Sequence, residues 1–473
     1  MSLQGSMMEK SRPARSLQEV LDAVGNVVAF LYNNPTGARP FPVVPPEFTN
    51  WRDEQHAWRE TVALFDLSHH MSDLYVYGPD AFALLEHLAI NSFRNFRPGM
   101  AKQFVACTKE GYVVGDAVLF YLEAQTFQLV GRPSALKWVQ YHGEAGRWRV
   151  RCERDDWSLA DPHRPRKVYR YQLQGPNAPA LLEKLNGGPL PHVKFFQMTW
   201  ITVAGRRVMF LHHGMAGVAG GELFGPWEDG PAVRGAIVEA GREFGLRQVG
   251  SRAYATNALE SGWISGVVPA IYVDEELRAY REWLPATSYE ATGSLGGSFY
   301  SRYIEDYYLT PWDLGYGHIL KFDHDFVGRE ALEVKAQQPH RRKVTLVWDP
   351  RDVAAVFETL FTRPKGQRAK YLDLPVPRYS MWQYDRVESP DGRMVGISTS
   401  CGYSSNEGAM LSLAMVEPEY SEPGTRVVVI WGEEGGGSRK PSVERHAQVE
   451  IRATVAPVPY SEAARRYRQA VSG

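Results

Sequence analysis

The sequence predicts an α+β protein, and three observations carry that prediction. Period-two hydrophobic stretches follow one another from about residue 103 to residue 173. Helical patterns lie among them without regular strand–helix–strand alternation, which argues against a doubly wound parallel sheet. Beyond residue 342, strand patterns recur with few helices between. At 473 residues the chain exceeds one small core, so several domains or one large multi-part fold are expected.

Taken in order, residues 1–15 read as a tag remnant (Met1 to Ser6) and a disordered N-terminus. Ser16 and Glu19 then stand at capping-box spacing, and Val20, Val24, Val27 and Leu31 recur at helical period behind them. A loop rich in Pro and Gly spans Asn33 to Pro46. A helical stretch precedes Phe65, and another covers roughly Asp80 to Leu88. Gln103–Cys107, Tyr112–Leu122, Phe127–Val130, Trp148–Cys152 and Val168–Leu173 read as strands. Helices at Asn177–Leu185 and Pro231–Phe244 interrupt two further strands. After Lys335, residues 337–342 form a polar linker. Val344–Trp348, Arg393–Ser398, Arg426–Trp431 and Val449–Val455 then predict a small antiparallel barrel or sandwich. The expected division is therefore 1–15, 16–335 and 336–473.

Composition narrows the function classes. Lys and Arg total 53 against 54 Asp and Glu, so no charge excess points to nucleic acid or a membrane surface. Cys107, Cys152 and Cys401 are far apart and odd in number, which suits a reducing compartment rather than a disulfide framework. No apolar run reaches the ~20 residues of a membrane span, and the N-terminus lacks signal-peptide order. A cytoplasmic protein is expected. No dinucleotide, P-loop or G-x-S-x-G motif is present. Gly435-Gly436-Gly437, followed by Ser438-Arg439-Lys440, reads as a hairpin turn. His69-His70, His212-His213 and Asp323-His324-Asp325 lack metal-ligand spacing, so no metal is expected.

Several segments together resemble the folate-binding aminomethyltransferase (glycine-cleavage T-protein) superfamily. They are Gly111 to Asp116, Gly214-Met215-Ala216-Gly217 leading into Gly221-Glu222-Leu223, Leu259 to Gly262, Lys321 to Gly328, and Gly402-Tyr403-Ser404. Within it, Asn50-Trp51-Arg52, Phe65 to His70, Ile90-Asn91-Ser92, Ala101-Lys102-Gln103, Val130-Gly131-Arg132, Gly250 to Tyr254, Leu259 to Trp263, Ala279 to Pro285 and Trp431 to Glu434 resemble the vanillate, 3-O-methylgallate and syringate O-demethylases. The resemblance implies a T-protein-like fold with a C-terminal antiparallel barrel. It also implies transfer of a methyl group from a methoxy-substituted aromatic carboxylate to tetrahydrofolate, in a monomer or homodimer without nucleic-acid or membrane partners. Gly115 stands where the aminomethyltransferases carry a catalytic aspartate, which counts against aminomethyl transfer.

The same resemblance implies roles for particular residues. Tyr254 matches the catalytic tyrosine, a phenol that stays protonated near neutrality and can donate to a departing oxygen. Read alone, it is an ordinary structural tyrosine beside Arg252. Arg132 matches the holder of the substrate carboxylate, for which a guanidinium fork is suited; a strand-end surface arginine is the competing reading. His70 and Phe195 match substrate-pocket residues, with His69 facing away. Glu222 matches the pterin-binding glutamate, and Gln103, Val130, Gln172 and Trp263 match other folate contacts. Read without the resemblance, Glu222 is a solvated turn residue and Trp263 a core one. Phe41 and Leu67 depart from the vanillate-type pattern, where a tyrosine and a glutamine are expected. The ring substituents are then read through a more apolar wall. Two alternatives stay open at this point, a folate-dependent transferase acting on a non-aromatic donor and a folate-binding protein without turnover.

Overall fold

The computed structural model describes residues 14–38, 41–158, 161–264, 266–437 and 440–472. Residues 1–13 of the expected N-terminal segment, and Ser438 and Arg439 of the glycine-rich turn, lie outside the described residues.

Two sheets and a barrel organise the chain. A six-stranded sheet runs Leu246–Gln248, Val62–Asp66, Val168–Gln174, Gly220–Pro226, Arg206–His212, Met198–Val203. A five-stranded antiparallel sheet runs Met100–Cys107, Val113–Glu123, Thr126–Gly131, Ser72–Tyr77, Arg151–Asp155. The closed six-stranded barrel runs Arg342–Trp348, Ala409–Val416, Met394–Ser404, Asp385–Glu388, Arg426–Trp431, Val449–Ala456, and the last strand pairs back onto the first. Strand alternation builds it: Ile451, Ala453 and Val455 point inward while Glu450 and Arg452 point out. The α+β reading and the C-terminal antiparallel barrel both hold.

Several local expectations are corrected. The first helix is two, Leu17–Ala23 and Val27–Asn33. Ser16 caps the first as predicted, its Oγ accepting from the Glu19 amide at 3.2 Å. Asn26 caps the second, its Oδ1 accepting from the Ala29 amide at 2.8 Å, so a polar cap after Gly25 restarts what periodicity alone joined. The strand expected at Trp148 begins only at Arg151. Unforeseen helices are Pro133–Glu144 and Pro350–Thr362, each with proline in its first turn, where the missing N–H costs nothing. Barrel strands Asp385–Glu388 and Ala409–Val416 were likewise not foreseen. The glycine triplet lies in the long connection between two neighbouring barrel strands, with Gly435, Gly436 and Gly437 all at positive φ.

The segment around Glu260, singled out by sequence, proves to join the barrel to the rest of the chain. Glu260 is buried and accepts from Trp58 Nε1 and Arg59 Nη2, both at 3.0 Å, on helix Trp51–Glu60. It also accepts from Ser404 Oγ at 2.8 Å and Asn406 Nδ2 at 3.0 Å, at the tip of a barrel hairpin. Glu260→Ala removes the shared acceptor of Trp58 and Ser404, while Arg59 keeps Glu407 at 2.7 Å and Asn406 keeps the Gln55 carbonyl at 2.9 Å, a loss of about 1–3 kcal/mol. Thermal denaturation is expected to show a clearly lowered midpoint; a midpoint within a degree of the parent refutes this role.

Candidate active site

A cavity of about 300 Å³ is lined by residues of both sheets, the loop ahead of helix Trp51–Glu60, and the C-terminal region. One wall comes from the five-stranded sheet. Strand alternation places Asp116, Val118 and Phe120 on the face that lines the cavity, beside Gln103 and Val130. Gly115 therefore faces the other way, against helix Pro133–Glu144, where a Cβ would meet the Ala135 nitrogen at 3.0 Å. On this backbone a side chain at position 115 would point to that helix rather than into the cavity. The cavity-facing carboxylate is Asp116, whose Oδ2 accepts from Tyr316 Oη at 2.6 Å, Gln103 Nε2 at 2.8 Å and Trp263 Nε1 at 3.3 Å. Burial raises its pKa, against the pull of the Tyr316 and Trp263 donors.

The opposite wall comes from the six-stranded sheet, where Glu222 and Gln172 are register partners on neighbouring strands. Gln172 is fully buried, and both ends of its carboxamide lack a partner among the described residues. Such an orphan inside a cavity is costly unless a ligand completes it. Glu222 is ion-paired to Arg170, whose guanidinium packs on the edge-to-face pair Phe120 and Phe224, 5.2 and 4.8 Å from their ring centroids. Arg170 continues to Asp73 at 3.3 Å, Asp73 to Arg166 at 2.8 Å, and Arg166 to Asp155 at 2.9 Å. This buried ladder holds the Glu222 carboxylate in place.

At the cavity's third side, the Tyr254 hydroxyl and His70 Nε2 are 2.7 Å apart. Phe41 stacks on the His70 ring with centroids 4.2 Å apart and lies 4.7 Å from that of Tyr254. Tyr254 ends the short helix Ser251–Tyr254. That helix is fixed where Gly250 donates to Glu54 Oε2 at 2.8 Å, and a Cβ on Gly250 would strike the Pro46 carbonyl at 2.2 Å. Burial, helped by the Arg132 charge, pushes His70 down to about 3, so the ring is neutral. Burial likewise raises Tyr254 to about 12, against the pull of Arg132 and Arg378. The phenol keeps its proton at neutral pH.

The structure thus brings together Tyr254, Arg132, His70, Phe41, Leu67, Gln103, Val130, Gln172, Glu222 and Trp263 in one cavity wall. Phe195 is the exception. It packs against His213, which lines the cavity, and against Tyr467, without lining the cavity itself. His69 turns away onto Trp227, although it sits in a turn rather than a strand. Sequence reasoning missed Asp116 as a site residue, and Arg378 and Arg468 of the C-terminal region. Asp116 was findable, since it stands on the face shared with Val118; the two arginines carry no local signal.

The cavity between the two sheets and the barrel define the class: a family model described as the GCVT N-terminal domain matches residues 26–267, and the chain belongs to that family. The solved glycine cleavage system aminomethyltransferase T from Bartonella henselae shares the fold. Its TM-score is 0.60 at 17% identity, with 89% of this chain and 92% of that one covered. More particularly, the chain is 52% identical to a syringate O-demethylase from Sphingobium sp., across 96% of this chain and 97% of the relative. It is also 30% identical to a sesamin methylene transferase from Sinomonas sp., over 89% and 91% of the two chains. Among the described residues, no helix is long and apolar enough to cross a membrane.

The depressed His70 pKa makes a pH prediction. The unfolded chain takes up a proton near pH 6.5 and the native state only near pH 3, so stability is full above pH 6.5 and is lost as pH falls between these values. At pH 5.5 this one group costs about 1.4 kcal/mol. His70→Gln is expected to flatten the fall in thermal midpoint between pH 7 and pH 5; parallel curves for the two proteins refute it.

Proposed function

We propose that the chain is an O-demethylase that moves a methyl group from a methoxy-substituted aromatic carboxylate to tetrahydrofolate, yielding 5-methyltetrahydrofolate and a phenol. The observation that carries this reading is the buried, protonated Tyr254 phenol, paired with neutral His70 in an aromatic recess beside Arg132. Across the cavity, the unpartnered Gln172 carboxamide and the Glu222 carboxyl group held by Arg170 suit the hydrogen-bonding edge of a pterin. Bound there, tetrahydrofolate supplies the amine that accepts the methyl group.

The chain's own residues handle the leaving side of the reaction. The methyl–oxygen bond breaks, and Tyr254 donates its proton to the departing phenolate oxygen, so that a neutral phenol leaves. With its proton on Nε2, His70 donates to the Tyr254 oxygen and leaves the phenolic proton directed to the substrate. Arg132 and Arg378 stabilise the tyrosinate so formed, since their charges already favour it. Tyr254 regains a proton from solvent before the next turnover, matching the N–H proton that the accepting amine would release to solvent on methylation. Arg132 holds the substrate carboxylate, and the cavity walls align donor and acceptor, which is worth about 7–11 kcal/mol in favourable cases.

Phe41 and the buried Leu67 make the wall beside His70 apolar, suited to contact with a methoxy methyl group rather than a ring hydroxyl. A ring carrying a methoxy group on both sides of its hydroxyl, as in syringate, therefore fits this wall better than vanillate.

The test mixes the protein with tetrahydrofolate and vanillate, syringate, 3-O-methylgallate or veratrate, following phenol and 5-methyltetrahydrofolate by chromatography. Syringate is expected to show the highest kcat/KM. Tyr254→Phe is expected to lower kcat by ~10²–10⁴-fold with KM little changed, and Arg132→Ala to raise KM. Phe41→Tyr with Leu67→Gln is expected to shift preference toward vanillate. Folate binding without turnover of any methoxybenzoate would sink the aromatic assignment.

A further inference from the structure

The paired histidines at the end of strand Arg206–His212 part company in the fold. His212 is tied away from the cavity, its Nδ1 3.1 Å from the Val193 carbonyl, whereas His213 lines the cavity. Strand register explains the difference. Leu211, Glu222 and Gln172 are partners on neighbouring strands and share one face of the six-stranded sheet, and His213 follows Leu211 at the next position of that face. On the cavity side Glu222 is therefore flanked by Gln172 on one hand and, diagonally, by His213 on the other. The Phe196 ring stacks on His213 with centroids 5.1 Å apart, and Gln174 Nε2 donates to the His213 carbonyl at 2.9 Å.

The His213 imidazole is set up as a single hydrogen-bond donor. Burial, with His212 alongside, holds its pKa below the usual histidine range against the pull of Glu222, so the ring is neutral at pH 7. A neutral imidazole carries one N–H. Nδ1 is buried and has no partner among the described residues. A proton there would be a buried donor without an acceptor, which is rarer and costlier than a buried lone pair without a donor. The proton therefore belongs on Nε2, the nitrogen left to meet a ligand in the cavity. In strand order the wall then presents the Gln172 carboxamide, the Glu222 carboxyl group and the His213 N–H.

We propose that His213 is a tetrahydrofolate-binding residue that donates from Nε2 to the edge of the pterin ring. This rests on the function proposed above and adds a third member to the wall of Gln172 and Glu222. The hydrogen-bonding edge of a pterin runs acceptor, donor, donor, acceptor: ring N1, the exocyclic amine, N3–H and the O4 carbonyl. Glu222 accepts from the central pair, and each flanking acceptor then needs a donor of its own. The Gln172 carboxamide supplies one and His213 supplies the other. A wall that reads donor, acceptor, donor is the complement of that edge, and its two outer groups find no side-chain partner within the chain.

The experiment measures tetrahydrofolate binding to the full chain by anaerobic calorimetry, alongside NMR of protein carrying isotope-labelled histidine. His213→Leu, which removes the donor, is expected to weaken tetrahydrofolate by about 3–10-fold, the worth of one neutral hydrogen bond. His213→Gln, whose amide nitrogen stands in for Nε2, is expected to keep most of the affinity. In the parent, the Nε2 proton of His213, assigned by its loss in the glutamine variant, is expected to become slow to exchange when tetrahydrofolate is added. A role in packing alone would not move that signal, and it is read on the parent even should the leucine variant fail to fold. A leucine variant that binds as the parent does, equal weakening by Leu and Gln, or an Nε2 signal indifferent to tetrahydrofolate overturns the proposal and leaves the demethylase reading standing. A parent protein that binds no tetrahydrofolate overturns both.

Discussion

The buried charge ladder from Asp155 through Arg166, Asp73 and Arg170 to Glu222 is the interaction on which the site depends. Its members alternate in sign, and it crosses from one sheet to the other between Asp73 and Arg170. Asp73 and Asp155 belong to the five-stranded sheet, Arg170 and Glu222 to the six-stranded one. Removing charges from water is expensive, and an interior ion pair is stable only when nearly every lone pair and proton is satisfied. Here Gln128 donates to Asp73, Arg166 donates to the carbonyls of Ser68 and Met71, and the Arg170 guanidinium packs against two phenylalanine rings. The geometry that satisfies the ladder thereby sets the separation of the sheets and leaves one carboxylate, Glu222, facing the cavity.

Opposite demands meet across that cavity. On one wall Glu222 is already paired with Arg170, while Gln172 beside it has no partner among the described residues until a ligand arrives. The recess of Phe41, His70 and Tyr254 is aromatic and uncharged, because burial keeps the imidazole deprotonated and the phenol protonated. Arg132 and Arg378 bring positive charge to the cavity. A ligand pair with a hydrogen-bonding heteroaromatic edge, an aromatic ring and a carboxylate is complementary to this sequence of environments, and each environment is maintained by residues outside it.

Much of this was legible in the chain and some was misread for physical reasons. Strand alternation around residues 103–130 and the Ser16 cap depend on neighbours in sequence, and both were read correctly. Helix Pro133–Glu144 was missed because Gly131-Arg132-Pro133 looks like a strand end, and the same proline that ends a strand also opens a helix. Gly115 was assigned importance for a residue it lacks, yet its neighbour faces the cavity, because a strand turns successive side chains to opposite faces. Phe195 matched a pocket aromatic by resemblance but lies one layer back, behind His213. Glu260 was noticed as part of a motif, and its role is architectural, tying the barrel to helix Trp51–Glu60.

What the sequence by itself determined is the local grammar: which stretches alternate, where helices are capped, which residue types the family motifs supply, and that Phe41 and Leu67 remove hydrogen-bonding groups. Tertiary structure alone decided which of those side chains meet. Tyr254 reaches His70 across 184 positions of chain, and Arg378 reaches the cavity that Arg132 lines from the segment before the barrel strand Asp385–Glu388. Their ionisation depends on that meeting, since a pKa is set by burial and by neighbouring charge. Neither is a property of a residue's neighbours in sequence.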